Sequence, residues 1–164
     1  MSCLVSVSLG SNIDPERHLR EAVEALRAHY GELTLSPVYQ TAAVGFVGED
    51  FLNLVVSFTT DEEVHAVVKF LKSIEDSHGR DREQPKFSSR TIDLDLLTYA
   101  DLVINEPGLQ IPRHEILQNA FVLKPLSDIL GEAQHPEQHK TYLELWQQMA
   151  INADRIEPYE LILD

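Results

Sequence analysis

Across residues 3–99 the spacing of apolar residues changes in a fixed order, and that order narrows the fold more than any other feature. "CLVSVSL" alternates apolar residues with serines, as a strand with one buried face does. Gly10-Ser11-Asn12 reads as a turn, and Asp14 as the cap of a helix with Pro15 at its first position. Leu19, Ala22, Val23, Leu26 and Tyr30 form the helical stripe, which Gly31 ends. "ELTLSPVYQT" and "FLNLVVSFTT" read as two strands flanking residues 42–50. Thr60 and Glu63 are spaced as a capping box for a second helix. Its stripe is Val64, Val67, Val68, Leu71 and Ile74, and Gly79 closes it. After a polar stretch, "TIDLDLLTY" is the fourth strand.

The order β-α-β-β-α-β is the split βαβ arrangement of ferredoxin-like folds. It predicts an α+β domain, a mainly antiparallel sheet with helices on one face. From Ala100 on, the chain reads as an extension. It has a turn at Asn105–Gly108, an irregular apolar piece "NAFVLKPLSDIL", and an amphipathic segment with Tyr142, Leu145, Trp146 and Met149. No linker, repeat or low-complexity tract divides residues 1–164, which are expected to form a single domain.

Charge narrows the choice of partner. Thirteen Lys+Arg against 27 Asp+Glu give a net charge of -14, which argues against a nucleic-acid surface and against docking on anionic membranes. Yet Arg80, Arg82, Lys86 and Arg90 lie within one short segment, a local cationic site suited to a small anion. A lone cysteine, Cys3, excludes an internal disulfide and a thiolate metal cluster. No secretory leader or membrane span is apparent, so a soluble cytoplasmic protein is expected.

In "SSRTIDLDLLTY" the face opposite Ile92, Leu94 and Leu96 carries Asp93 and Asp95, roughly 7 Å apart along the strand from its rise per residue. Two carboxylates on one face supply the hard oxygen ligands that Mg²⁺ takes together with waters and phosphates. A solvated strand face looks the same in isolation. The guanidinium groups of Arg80, Arg82 and Arg90 just upstream match phosphate oxygens, though they also match the interleaved Asp81 and Glu83. Carboxylates for a metal beside arginines for phosphate are the parts of phosphoryl transfer. The connection "AAVGFVGED" is unusually apolar and either covers the core or lines a ligand pocket. It leads into Phe51 and Asn53 on one strand face, an aromatic plate beside an amide. The seven histidines show no metal-binding spacing and read mostly as surface or capping residues. There is no Gly-rich phosphate loop of the G-x-x-x-x-G-K-[ST] type, so side chains must hold any nucleotide.

With "SLGSN", "FLN", "RTIDLDLL", "VIN" and "FVLKPL" in this order, the sequence resembles the 6-hydroxymethyl-7,8-dihydropterin pyrophosphokinases of folate biosynthesis. The R-T-x-D-L-D block is the most specific of these. The resemblance implies the ferredoxin-like α+β fold and an ATP- and Mg²⁺-dependent diphosphotransferase that moves the β,γ-pyrophosphoryl group of ATP to the pterin hydroxymethyl oxygen, releasing AMP. It implies that Asp93 and Asp95 bind two Mg²⁺ ions and that Arg80, Arg82 and Arg90 neutralise the phosphates. Asn53 would read the pterin edge with backbone groups of Thr41 and Val44, and Phe51 and Phe121 would sandwich the ring. Glu75, Leu96 and Arg113 would lie on the ATP side, and residues 79–89 would close over the nucleotide. The implied partners are small molecules alone, pterin and ATP, with neither nucleic acid nor membrane; the sequence leaves the oligomeric state open and is compatible with a monomer.

The chain departs from the family pattern on the ATP side. Glu83, Phe87, Ser88, Ser89, Gly108 and Asn119 stand where a basic residue, tryptophan, Gly-Pro, a basic contact and an arginine are usual, and the usual Pro-His reads Pro112-Arg113. A weakened ATP clamp is expected. That keeps open a pterin-binding paralogue with little transferase activity, and a ferredoxin-like regulatory or interaction module.

Overall fold

Leu19, Ala22, Val23 and Leu26 are completely buried, so the helical stripe read from the first apolar run is a packing face. The computed structural model describes residues 2–42, 50–78, 92–151 and 156–163. The element order is β1 (Cys3–Ser11), α1 (Pro15–Tyr30), β2 (Thr34–Leu35), β3 (Val38–Thr41), β4 (Phe51–Thr60), α2 (Val64–Ser77) and β5 (Asp93–Tyr99). There follow β6 (Ile104–Glu106), β7 (Leu109–Ile111), α3 (Glu115–Gln118), α4 (Ala120–Leu130), α5 (Tyr142–Met149) and β8 (Glu157–Tyr159). The main sheet runs β5-β1-β4-β3-β8, with β2 also on β4, and every pairing is antiparallel. This is the expected α+β, ferredoxin-like order, extended by β8 at one edge.

The two helices of the β-α-β-β-α-β core lie on one face of the sheet, as expected, and the helices of the extension cover the other. Val5, Val7, Leu9, Leu54, Val56, Leu94 and Leu96 point to the face covered by α1 and α2. Each fully buried Leu or Val there contributes on the order of 2 kcal/mol by removal from water. Val55 and Leu97 point the other way, into a second core with Ile116, Val122, Leu123, Leu126, Tyr142 and Leu145. A bulge lets β5 serve both cores. Ser6 pairs with Thr98 but Val7 with Leu96, so Leu97 is the extra residue and Tyr99 returns to the first core.

Several local expectations change. Gly10 and Ser11 belong to β1 rather than to a turn. Asp14 adopts a left-handed conformation (φ 43°) and makes no side-chain cap; its carboxylate instead accepts from Arg17 Nε at 2.7 Å. The cap of α2 is Glu63, which accepts from His65 N at 2.9 Å, while Thr60 Oγ1 accepts from Glu62 N. The predicted strand 32–41 breaks at Ser36-Pro37, where the Ser36 hydroxyl accepts Val55 N at 2.9 Å. "NAFVLKPLSDIL" is not irregular: Ala120–Leu130 is helix α4 with Pro125 inside it. His18 and His135 are buried. His135 Nδ1 accepts from Glu137 N and Gln138 N, which is a structural task. Gly79 lies outside the described residues.

Candidate active site

Strand register sets one row of residues across the sheet. Asp93 on β5 faces Gly10 on β1, Gly10 faces Asn53 on β4, and Asn53 faces Tyr39 on β3. Directly paired residues share a face, so Asp93 and Asn53 lie on the same side, roughly 10 Å apart across two strand spacings. The next row, Asp95–Ser8–Val55, is where this face passes from polar to apolar and the second core begins. Thr41 pairs with Phe51 at the opposite end. The polar end of the sheet thus presents Phe51, Asn53, Asp93 and Asp95 together.

Asn53 is oriented on both sides. Its Nδ2 donates to Thr41 Oγ1 at 3.0 Å, and it is 8% exposed. A Cβ at Gly10 would stand 2.8 Å from Asn53 Oδ1, closer than such atoms approach, so the amide occupies space that only glycine leaves. The NH₂ end of the amide thus faces Thr41 and its carbonyl end faces Gly10.

Among the described residues β5 is an edge strand of the sheet, as β8 is at the other end. Beyond it, a cleft of about 170 Å³ opens between α2 and the β6–β7 hairpin. From β5 come Asp93, Leu94, Asp95 and Leu96; from α2 Lys72 and Glu75; from beyond the hairpin Arg113. Asp93 and Asp95 are half-buried and border both this cleft and the row leading to Asn53. Glu75, 5% exposed, accepts the Leu94 backbone N–H at 2.9 Å and so closes the edge of the sheet beside the aspartates. Arg113 is anchored through its backbone N–H to Leu97 O at 3.1 Å and pairs with Glu115, whose Oε2 accepts from Nε at 2.7 Å. Burial works against its charge, but Asp95 and then Glu115 more than offset this and raise the guanidinium above its usual value.

Phe121 lies in the first turn of α4, which packs on β3 and β4. Pro125 has no N–H to return to the Phe121 carbonyl four residues back, which loosens that turn. Nearer the other end of α4, Asp128 accepts a hydrogen bond from the Tyr39 hydroxyl and forms an ion pair with Lys124 at 2.5 Å. Burial, and then Asp128 beside it, push the Tyr39 phenol well above its ordinary value, so the hydroxyl stays a donor.

Asp93, Asp95, Glu75, Leu96 and Arg113 are therefore brought to one cleft, and Thr41, Phe51 and Asn53 to one end of the adjoining face. Val44, Arg80, Arg82 and Arg90 lie outside the described residues, as do Glu83, Phe87, Ser88 and Ser89. The sequence reading missed Lys72, although it stands one turn before Glu75 on the same helix face, and the neighbours Gly10 and Tyr39, which only strand register reveals. Among the described residues no group of three or more His, Cys, Asp or Glu could hold a metal ion. Two carboxylates in an open cleft fit Mg²⁺, which takes few protein ligands and completes its shell with water and phosphate oxygens.

Residues 6–131 match the family model described as 7,8-dihydro-6-hydroxymethylpterin-pyrophosphokinase. The chain is 32% identical over 156 residues to the 2-amino-4-hydroxy-6-hydroxymethyldihydropteridine pyrophosphokinase of Bacillus subtilis, covering 90% of this chain and 93% of that protein. It is 35% identical over 132 residues to a mitochondrial folate synthesis bifunctional protein of Arabidopsis thaliana, covering 79% of this chain but 24% of the larger protein. The fold superposes on the crystal structure of wild-type Plasmodium falciparum HPPK-DHPS with pteroate, with a TM-score of 0.71 at 14% identity over 93% of this chain and 46% of that one. On the match along residues 6–131 and the likeness to the Bacillus enzyme over 90% of the chain, this chain belongs to the 7,8-dihydro-6-hydroxymethylpterin-pyrophosphokinase family.

Proposed function

We propose that residues 1–164 act as one unit that transfers the β,γ-pyrophosphoryl group of ATP to the hydroxymethyl oxygen of 6-hydroxymethyl-7,8-dihydropterin in folate biosynthesis, in the cytoplasm. The observation that carries this reading is the position of Asp93 and Asp95 between the edge cleft and the row that leads to Asn53. A nucleotide in the cleft and a heterocycle against Asn53 would meet at those two carboxylates.

The oxygen–phosphorus bond forms between the hydroxymethyl oxygen and the β-phosphorus. The bond broken joins that phosphorus to the oxygen bridging it to the α-phosphorus, AMP leaves with the bridging oxygen, and the hydroxyl proton passes to solvent. The chain's part is to position two substrates and to balance charge, with no covalent intermediate on the protein. Asp93 and Asp95 would hold two Mg²⁺ ions, whose charge supplies electrostatic stabilisation to the phosphates when bound. Arg113 adds positive charge beside Asp95. Arg80, Arg82 and Arg90 would contact the phosphates, and Leu96 the base. Asn53, with Thr41 and Val44, would read the amide-like edge of the pterin, and Phe51 and Phe121 would stack on its faces.

Incubation with Mg-ATP and hydroxymethyldihydropterin tests this. AMP that forms only when pterin is present supports the reading; ADP as the product, or no nucleotide turnover at high protein concentration, contradicts it.

A further inference from the structure

We infer that the Tyr39–Asp128 hydrogen bond is a positioning element for the pterin site, one that fixes the distance between the sheet and the helix carrying Phe121. It rests on the pterin reading above and assigns two residues to it. Tyr39 is 5% exposed and is the direct cross-strand neighbour of Asn53. Two residues along the same strand, Thr41 orients the Asn53 amide. The short segment Tyr39–Thr41 therefore touches both walls of the site, the amide on β4 through Thr41 and α4 through Tyr39.

On α4, Phe121, Lys124 and Asp128 recur at the three- and four-residue spacing that puts them along one side of a helix. Asp128 joins that helix to β3 through the Tyr39 hydroxyl. Its other oxygen is held by Lys124, whose ammonium lies 5.9 Å from the Trp146 ring centre on α5. Asp128 is thus held from both sides, with the strand on one and the helix pair on the other. Pro125 weakens the backbone bonding of the Phe121 turn, so its placement depends more on how the rest of α4 is docked. The bond is part-buried and charge-assisted, which makes it stronger than one between neutral groups.

Tyr39→Phe keeps the ring in the sheet and removes only the hydroxyl. Its KM for the pterin should rise about tenfold, with KM for ATP unchanged within about twofold, because loss of alignment at one substrate weakens that substrate alone. Asp128→Asn keeps the shape and an acceptor oxygen, should show a smaller rise, and gives a reading if Tyr39→Phe folds poorly. The double variant should be no worse than Tyr39→Phe, since both changes break one link. Pterin KM unchanged while the melting temperature falls would make the bond merely structural and overturn the inference, as would equal rises for both substrates or additive effects. Absence of pterin-dependent AMP from the unmutated protein would instead count against the proposed function.

Discussion

Gly10 and Asn53 face each other across β1 and β4, and the amide oxygen of Asn53 fills the space a side chain on Gly10 would take. Gly10 also pairs with Asp93 on its other side. The residue without a side chain thus lies between the amide and the acidic pair, and leaves the face open between them.

Gly10→Ala is accordingly expected to push the Asn53 amide away from Thr41. With a contact of 2.8 Å to relieve, pterin affinity should fall about tenfold or more, the cost of about one displaced buried hydrogen bond. Titration of the variant with pterin measures this directly, and unchanged affinity would mean that the amide is not part of the site.

Much of this arrangement was legible in local sequence and much was not. The strict alternation in "TIDLDLL" places Asp93 and Asp95 opposite Ile92, Leu94 and Leu96, which are all buried. The stripes of α1 and α2 are equally plain. What alternation cannot supply is register: Asp93, Gly10, Asn53 and Tyr39 come from four strands, and their alignment follows from pairing between distant segments. The helix α4 was obscured by Pro125, a residue that ordinarily ends helices. Once Ala120–Leu130 is helical, its apolar residues need a surface, and Val55 and Leu97 on the second face of the sheet provide it. Tyr39 and Asp128 are 89 residues apart, so neither points to the other in the sequence.

Glu75 makes a separate prediction about stability. Its buried carboxylate satisfies the Leu94 N–H at the sheet edge. Glu75→Ala should cost about 1–3 kcal/mol of unfolding free energy in denaturant titrations by stranding that donor. Glu75→Gln keeps an acceptor oxygen and should cost less.

His65 gives the fold a pH dependence away from the site. Its ring nitrogens pair with Glu106 on β6 and with Glu63, and these contacts, Glu106 first, raise its pKa above the ordinary histidine value. A pKa raised by folding contributes stability that is complete below the unfolded value near 6.5 and disappears as pH rises through the folded value. The melting temperature of the unmutated protein should exceed that of His65→Gln at pH 5.5, and the gap should shrink above pH 7, in melts at about those two pH values.

The acidic pair makes the strongest prediction for activity. Asp95→Asn leaves the shape of β5 and removes a charge that faces both Arg113 and any bound cation. AMP formation should fall at least about a hundredfold, since a metal-assisted phosphoryl transfer depends on several kcal/mol of charge stabilisation. Chelation by EDTA should stop the unmutated enzyme, and Mg²⁺ should restore it.

The most direct measurement is a crystal structure of the protein with Mg²⁺, a non-hydrolysable ATP analogue and the pterin. The account predicts divalent cations held by the carboxylates of Asp93 and Asp95, with the triphosphate on the α2 side and the heterocycle beside Asn53. Carboxylates turned apart with no ion between them, or a nucleotide seated away from the β5 edge, would contradict it.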